Sequence, residues 1–313
     1  MTGVVEPNTG GDPMGPTKFV RRSLQAISAD LEPLGYDLCP ATIARLLRTQ
    51  HFSLRVNSKQ FTGPNHPDRD RQFRTIQVEI DRFWDEGLPI LSVDTKKKEL
   101  VGNFKNAGQL WCQEPEEVNV YDFLSDAICR AVPYGLYDVL ANRGHVCIGT
   151  SADTPAFAVE AIRSWWDRYG CQRYRGADEL LILADGGGSN GHRPRLWKLA
   201  LQEQLSDRYG LYVTVCHYPT GASKWNPVEH RLFGPISVNW AGRPLRSLEV
   251  MQGWIRGTKT EGGLEVTTSL DERVYPKGLR VSDEEMDQLD LQRHGTCPQW
   301  NYTISPRTLE LLN

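Results

Sequence analysis

Two short apolar runs that each stop on an aspartate constrain this chain most: Leu88–Asp94 and Glu179–Asp185. Runs of this length, bounded by turn residues, read as single strands. His145–Gly149 and Leu211–Cys216 read as two more, and helical periodicity fills Thr154–Tyr169 and Pro194–Tyr209. After the charged turn Thr95–Lys98, Glu99–Phe104 reads as a hairpin partner for the first run. A meander of three strands, followed by strands alternating with helices, makes one mixed α/β sheet flanked by helices. No internal repeat or low-complexity tract interrupts it.

Upstream the pattern is helical. Val20, Leu24, Ile27 and Leu31 recur at helical spacing as far as Pro33 and Gly35. Pro40 then opens a second helix, at a position where its missing N–H is not needed. In that helix Ile43, Leu46 and Leu47 face inward, and Thr42, Arg45 and Arg48 outward. Helix, tight turn and a helix with a basic outer face form a helix-turn-helix pattern, with those three residues toward DNA. Val56–Pro67 reads as a linker carrying Lys59, a further basic candidate for DNA. Phe73, Ile76, Ile80 and Phe83 mark a helix over Pro67–Glu86.

The 313 residues, 39% hydrophobic and 24% charged, exclude a disordered or disulfide-stapled chain and leave room for two domains. The net charge of −3 hides a partition. Residues 16–75 carry ten Lys/Arg against five Asp/Glu, residues 186–260 ten against four, and residues 271–313 five against eight. Two basic blocks suit two surfaces for a polyanion, although on charge alone a pair of solvated faces explains them as well. The seven cysteines are odd in number and form no C-x-x-C pair; they read as free thiols in a reducing compartment, five of them in apolar segments. No apolar run approaches the roughly 20 residues needed to cross a bilayer. The polar, Gly/Pro-rich N-terminus lacks the makeup of a signal peptide. The expected protein is cytoplasmic, with no membrane partner.

Asp94 and Asp185 each follow a strand directly, and in open α/β sheets that is where ligands bind. Glu229 lies 44 positions after Asp185, on the helical segment beyond the last strand. Three carboxylates from separate elements are hard oxygen ligands, suited to magnesium or manganese rather than zinc. For any one of them a turn or capping role is the alternative. All three in this order, beside a basic block, favour a metal site for phosphodiester chemistry.

Gly186–Gly191 matches G-x-G-x-x-G between a strand and a helix, as a dinucleotide fingerprint does. Asp185 beside a pyrophosphate would repel it, however, and no acid ends the next strand to hold a ribose. The glycines read better as room for a backbone or nucleic acid to approach Asp185. His217 and His230 form no zinc-ligand spacing, and no G-x-S-x-G elbow supports a serine hydrolase. Trp165 and Trp166 read as core.

The runs Leu91–Phe104, Leu180–Asn190 and Cys216–Phe233 closely resemble those of the Rhodopirellula-type DDE transposases, bacterial insertion-sequence enzymes distantly similar to mariner-like transposases. His66–Phe73 and Trp300–Ile304 look like theirs too, and the resemblance runs from about Val5 to the C-terminus. It implies an RNase H-like core in which Asp94, Asp185 and Glu229 hold Mg2+ or Mn2+, as two ions. The implied chemistry is water-mediated cleavage at transposon ends, then attack of the freed 3′-hydroxyl on target DNA. Asn190, Lys224, Trp225 and Asn226 match motif positions near the triad, where they contact DNA or position the acids. The implied partner is double-stranded DNA, as terminal inverted repeats and as target. A homo-oligomer on that DNA and a nucleoid-associated place in the cytoplasm follow by the same resemblance.

Family members usually continue upstream of the segment that begins here at Val4, and often carry an acid where this sequence has Ser151. Arg293–Trp300 is slightly altered as well. The expectation is a shortened copy with an intact triad. It divides into a flexible N-terminus (1–16), an incomplete helix-turn-helix region (17–65), an RNase H-like DDE catalytic domain (66–260) and a C-terminal extension (261–313). Two alternatives stay open: a truncated product that binds DNA ends without transposing, and a nucleotide-binding oxidoreductase built on the glycine run.

Overall fold

The computed structural model describes residues 9–11, 18–20, 23–52 and 66–307, in two compact units, Met1–Thr62 and Gly63–Asn313. In the first unit, β1 (Thr9–Gly11) pairs antiparallel with β2 (Lys18–Val20). Val20 therefore ends a strand rather than opening a helix. Helix α1 (Leu24–Leu31) starts only after Ser23, whose hydroxyl accepts the Ala26 N–H at 3.1 Å and satisfies an otherwise orphaned donor. Gly35, at φ +83°, reverses the chain. Helix α2 (Pro40–Thr49) follows with Pro40 in its first turn, as expected. Ile27, Leu31 and Ile43 form a small buried core, and the Ser28 hydroxyl donates to the Leu38 carbonyl at 2.6 Å across the turn. Arg45 and Arg48 are exposed on α2; Thr42 is half-buried, its hydroxyl 3.3 Å from Cys39 Sγ. The expected linker up to Asn65, with Lys59, lies outside the described residues.

The second unit opens on α3 (Arg69–Asp85) and then builds one sheet. Its first strands are β3 (Ile90–Thr95), β4 (Glu99–Val101), β5 (Cys129–Asp138) and β6 (Arg143–Gly149). Helix α4 (Pro155–Trp165), β7 (Glu179–Ala184), α5 (Arg195–Leu201) and β8 (Tyr212–His217) alternate after them. Then come α6 (Gly234–Asn239), α7 (Leu248–Arg256), β9 (Glu265–Asp271), α8 (Asp283–Asp287), β10 (Leu291–Arg293) and β11 (Asn301–Ile304). The strand order is β10-β11-β8-β7-β3-β5-β6-β9, with β4 paired to β5. β3, β5 and β6 form an antiparallel meander, and β7 and β8 run parallel to β3 on its other side. This is an RNase H-like sheet.

The meander's middle strand is not the one expected. Glu99–Val101 pairs with Cys129–Ala131 of β5, not with β3, and β5 itself takes the centre. Pro133 and Gly135 disguise β5 as a loop. Pro133 has no N–H to offer, but it sits between the β3 ladder, which ends at Tyr134, and the β4 ladder, which begins at Ala131. Its carbonyl accepts Lys96 N–H at 2.9 Å. A Cβ on Gly135 would overlap the Phe233 ring, and one on Gly144 of β6 would overlap Leu232. These glycines let the Glu229-bearing segment lie close against the sheet.

Helices cover both faces, which is why Leu180–Ala184 is apolar without alternation. Leu91, Val93, Leu180 and Ile182 pack on one side with α4 and α5, where Trp165, Trp166 and Trp197 are core residues. Ile90, Leu181 and Leu183 pack on the other with Ile76 and Phe83 of α3. Residues 261–313 contribute strands at both edges, β9 beside β6 and β10–β11 beside β8. All seven cysteines are free; Cys147, Cys216 and Cys297 are buried, fewer than the apolar segments suggested. No helix among the described residues is long and apolar enough to cross a membrane.

Candidate active site

Parallel pairing of β3 with β7 sets Val93 opposite Ala184, so Asp94 and Asp185 are the next pair along. Adjacent strands lie about 4.8 Å apart, which makes the two aspartates neighbours at the carboxyl end of the sheet. The loop after β8 returns over this edge. Asn226, fully buried, accepts Ser92 Oγ at 2.5 Å through its Oδ1. Its Nδ2 donates to the Val93 carbonyl at 3.1 Å and to Asp185 Oδ1 at 3.2 Å. Val228 N–H donates to Ser92 Oγ at 2.9 Å, and Glu229 N–H to the Asn226 carbonyl at 3.0 Å. Glu229 then opens a single π-helical turn, Glu229–Phe233, anchored by buried Leu232 and Phe233. Such widened turns recur at functional sites.

The three carboxyls repel one another. Burial, then the charge of Asp185, pushes the Asp94 carboxyl up to about 8, and Glu229 adds its charge and a shared hydrogen bond. Burial pushes Asp185 up to about 6; the Asn226 amide opposes this and the Glu229 charge adds to it. Stacking negative charge in a half-closed crevice is costly unless a cation joins it. Among the described residues no three His, Cys, Asp or Glu side chains stand closed around one point. The acids are instead gathered pairwise, with Asp94 interacting with both others. Oxygen-only donors with excess negative charge fit magnesium or manganese.

Asp94 and Asp185 line a crevice of about 480 Å3, together with Asn190 and exposed Lys97, Lys98 and Arg130. An acidic floor under a basic rim matches a phosphodiester held over cations. Asp153, which sequence reasoning passed over, lines it too and accepts Thr95 Oγ1 at 3.2 Å. Its only local signal is its place beside Thr154, the N-cap of α4.

A buried relay braces the Asp185 main chain. Trp197 Nε1 donates to the Tyr302 hydroxyl at 2.9 Å, so that hydroxyl donates onward to His217 Nε2 at 3.1 Å. His217 Nδ1–H in turn donates to the Asp185 carbonyl at 3.0 Å. Burial depresses His217 to about 3 and keeps it neutral, as the relay requires. His217 is thus structural, out of reach of phosphate or zinc.

Asn190 and Asn226 are both buried, and of the two Asn226 hydrogen-bonds Asp185. Neither polar atom of the Asn190 carboxamide has a protein partner among the described residues. An unpaired buried polar group costs on the order of 1–3 kcal/mol. Lys224 and Trp225 are exposed, with Lys224 Nζ 5.4 Å from the Trp225 ring centroid and Trp225 edge-on to Phe73. Gly186 is where a backbone approaches, the Tyr218 carbonyl standing 3.0 Å from the position of a Cβ. Thr42, Arg45 and Arg48 belong to the other unit.

Asp94 and Asp185 thus stand together at the carboxyl ends of two parallel central strands. The family described as Rhodopirellula transposase DDE domain matches residues 1–306, and the chain belongs to it. No curated protein matches the sequence. Among solved structures, the chain is similar to the Mos1 mariner paired end complex with Mn, at 14% identity and a TM-score of 0.43, over 79% of this chain and 72% of that one. It is also similar to the Mos1 transposase paired-end complex with left transposon end, at 14% identity and a TM-score of 0.42, over 75% of this chain. The chain spans 65% of that protein's length.

Proposed function

We propose that this chain is a DDE transposase that cleaves DNA at insertion-sequence ends and joins the freed 3′-hydroxyl to target DNA. The observation that carries this reading is the β3–β7 register, which sets Asp94 beside Asp185 while Asn226 draws Glu229 to the same edge. Asp94, Asp185 and Glu229 are the residues that would hold Mg2+ or Mn2+, two ions in our reading. When bound, such ions supply Lewis-acid stabilisation to the attacking and leaving oxygens of a phosphodiester.

The chain's own residues do the rest. Asn226 and the His217 relay orient Asp185 from two directions, through its carboxylate and its main chain. Lys97, Lys98 and Arg130 bind the phosphates on either side of the scissile bond, and exposed Lys224 and Trp225 are further candidates for DNA contact. Arg45 and Arg48 on α2 suit the terminal-repeat duplex, with Thr42 and Lys59 as further candidates. A homo-oligomer would pair two ends, and the working compartment would be the cytoplasmic nucleoid. Family membership disfavours the oxidoreductase alternative.

The test is cleavage of the element's own terminal DNA with magnesium or manganese, comparing wild type with Asp185→Asn. Metal-dependent nicking at the end, lost in the variant, is the expected result. Binding of the ends without nicking in either metal would instead identify an end-binding protein.

A further inference from the structure

We propose that Asn190 aligns the nucleophile with the scissile phosphate, an inference that rests on the strand-transfer reading above. Asn190 is 1% exposed, lines the crevice with Asp94 and Asp185, and has neither carboxamide atom paired among the described residues. A phosphodiester presents only acceptors and so satisfies Nδ2 alone. A hydroxyl presents a donor and satisfies Oδ1. The pair of groups that completes this carboxamide is therefore a non-bridging phosphate oxygen and an attacking O–H, the two reactants of the proposed reaction.

In that step the hydroxyl oxygen of water, or of a 3′-end, forms the new bond to phosphorus. The bond from phosphorus to the leaving 3′-oxygen breaks, its electron pair staying on that oxygen. The nucleophile's proton passes to solvent, and the leaving oxygen takes one from solvent. Asn190 neither gains nor loses a proton; it fixes the line of attack. Asn190 lines the crevice beside Gly187 and Gly188. Gly187 and Gly188 have no neighbour within 4 Å of where a Cβ would lie, and in our proposal this wall shifts as DNA seats.

The experiment compares wild type with Asn190→Leu, similar in size but apolar, and with Asn190→Ala. Without DNA, Asn190→Leu is expected to melt about 2–4 °C higher, because an unpaired buried amide has been removed. Single-turnover cleavage should fall about 100-fold in both variants, with affinity for the terminal duplex held within about 3-fold. A phosphorothioate at the scissile phosphate should slow wild type in one diastereomer, and the variants should lose that preference. Melting below wild type, or cleavage within about 3-fold of it, overturns the inference. A wild type that cleaves nothing defeats the transposase reading by itself. The melting comparison then still judges Asn190: a rise supports a carboxamide kept for a ligand, and a fall overturns it.

Discussion

Asn226 joins Asp185 to the neighbouring strand: one amide hydrogen-bonds the Asp185 carboxylate, the Val93 carbonyl and the Ser92 hydroxyl together. The carboxylate's direction is set by a residue 41 positions away that never faces solvent. Asn226→Ala should lower folding stability by about 1–3 kcal/mol, because Ser92 and the Val93 carbonyl lose buried partners. It should also raise the magnesium concentration needed for half-maximal cleavage. Urea denaturation and a metal titration check the two effects separately.

Asp94 and Asp185 predict how stability follows pH. An acid whose folded value lies above its unfolded value takes up protons on folding, so its contribution to stability falls as pH rises. Here the fall runs from near the unfolded value of 3.8 through about 8, where Asp94 is half-ionised. The protein without added metal should therefore lose melting temperature between pH 5 and pH 8.5 more steeply than Asp94→Asn. Magnesium or manganese should restore more of it at pH 8.5 than at pH 5. Differential scanning fluorimetry shows both; equal slopes for wild type and variant would defeat the assignment.

The relay through Tyr302 makes a different prediction. Tyr302→Phe keeps the ring but strands Trp197 Nε1 and His217 Nε2, each fully buried. A loss on the order of 2–6 kcal/mol is expected, the sum of two unpaired groups. Trp197→Phe combined with Tyr302→Phe should cost less than the two single losses added together, since they share one interaction. Chemical denaturation of the three variants checks this.

Salt dependence separates the basic rim from the acids. If Lys97 and Lys98 each neutralise one phosphate, each Lys→Ala change should reduce the slope of log affinity against log salt by about 0.9. Asp185→Asn should leave that slope unchanged. Binding isotherms over a range of potassium chloride measure it directly.

Much of the site was legible because its signals are local. Leu88–Asp94 and Glu179–Asp185 are single strands whose apolar character and terminal acids need no distant information to be seen. Helices α1 and α2 were legible for the same reason, through spacing and Pro40, although the N-cap Ser23 that starts α1 was not. What stayed hidden was partnership. Cys129–Asp138 holds the centre of the meander while carrying Pro133 and Gly135, and both make sense only against β3, β4 and Phe233. Asp153 shows no motif, and reaches the crevice only because β6 and α4 deliver it beside Thr95.

The sequence by itself determined the mixed α/β class and the family, and singled out the three acids as candidates, because strand period, chain order and motif are properties of neighbouring residues. Tertiary structure alone decided which strand pairs with which, and that residues 261–313 complete the sheet at both edges. It also decided that Asn226 serves Asp185 from a buried position, while Asn190 has no partner among the described residues beside the same acids. The physical reason is that a hydrogen bond belongs to two groups at once. When its partners lie tens to hundreds of residues apart, only the folded chain brings them within 3 Å of each other.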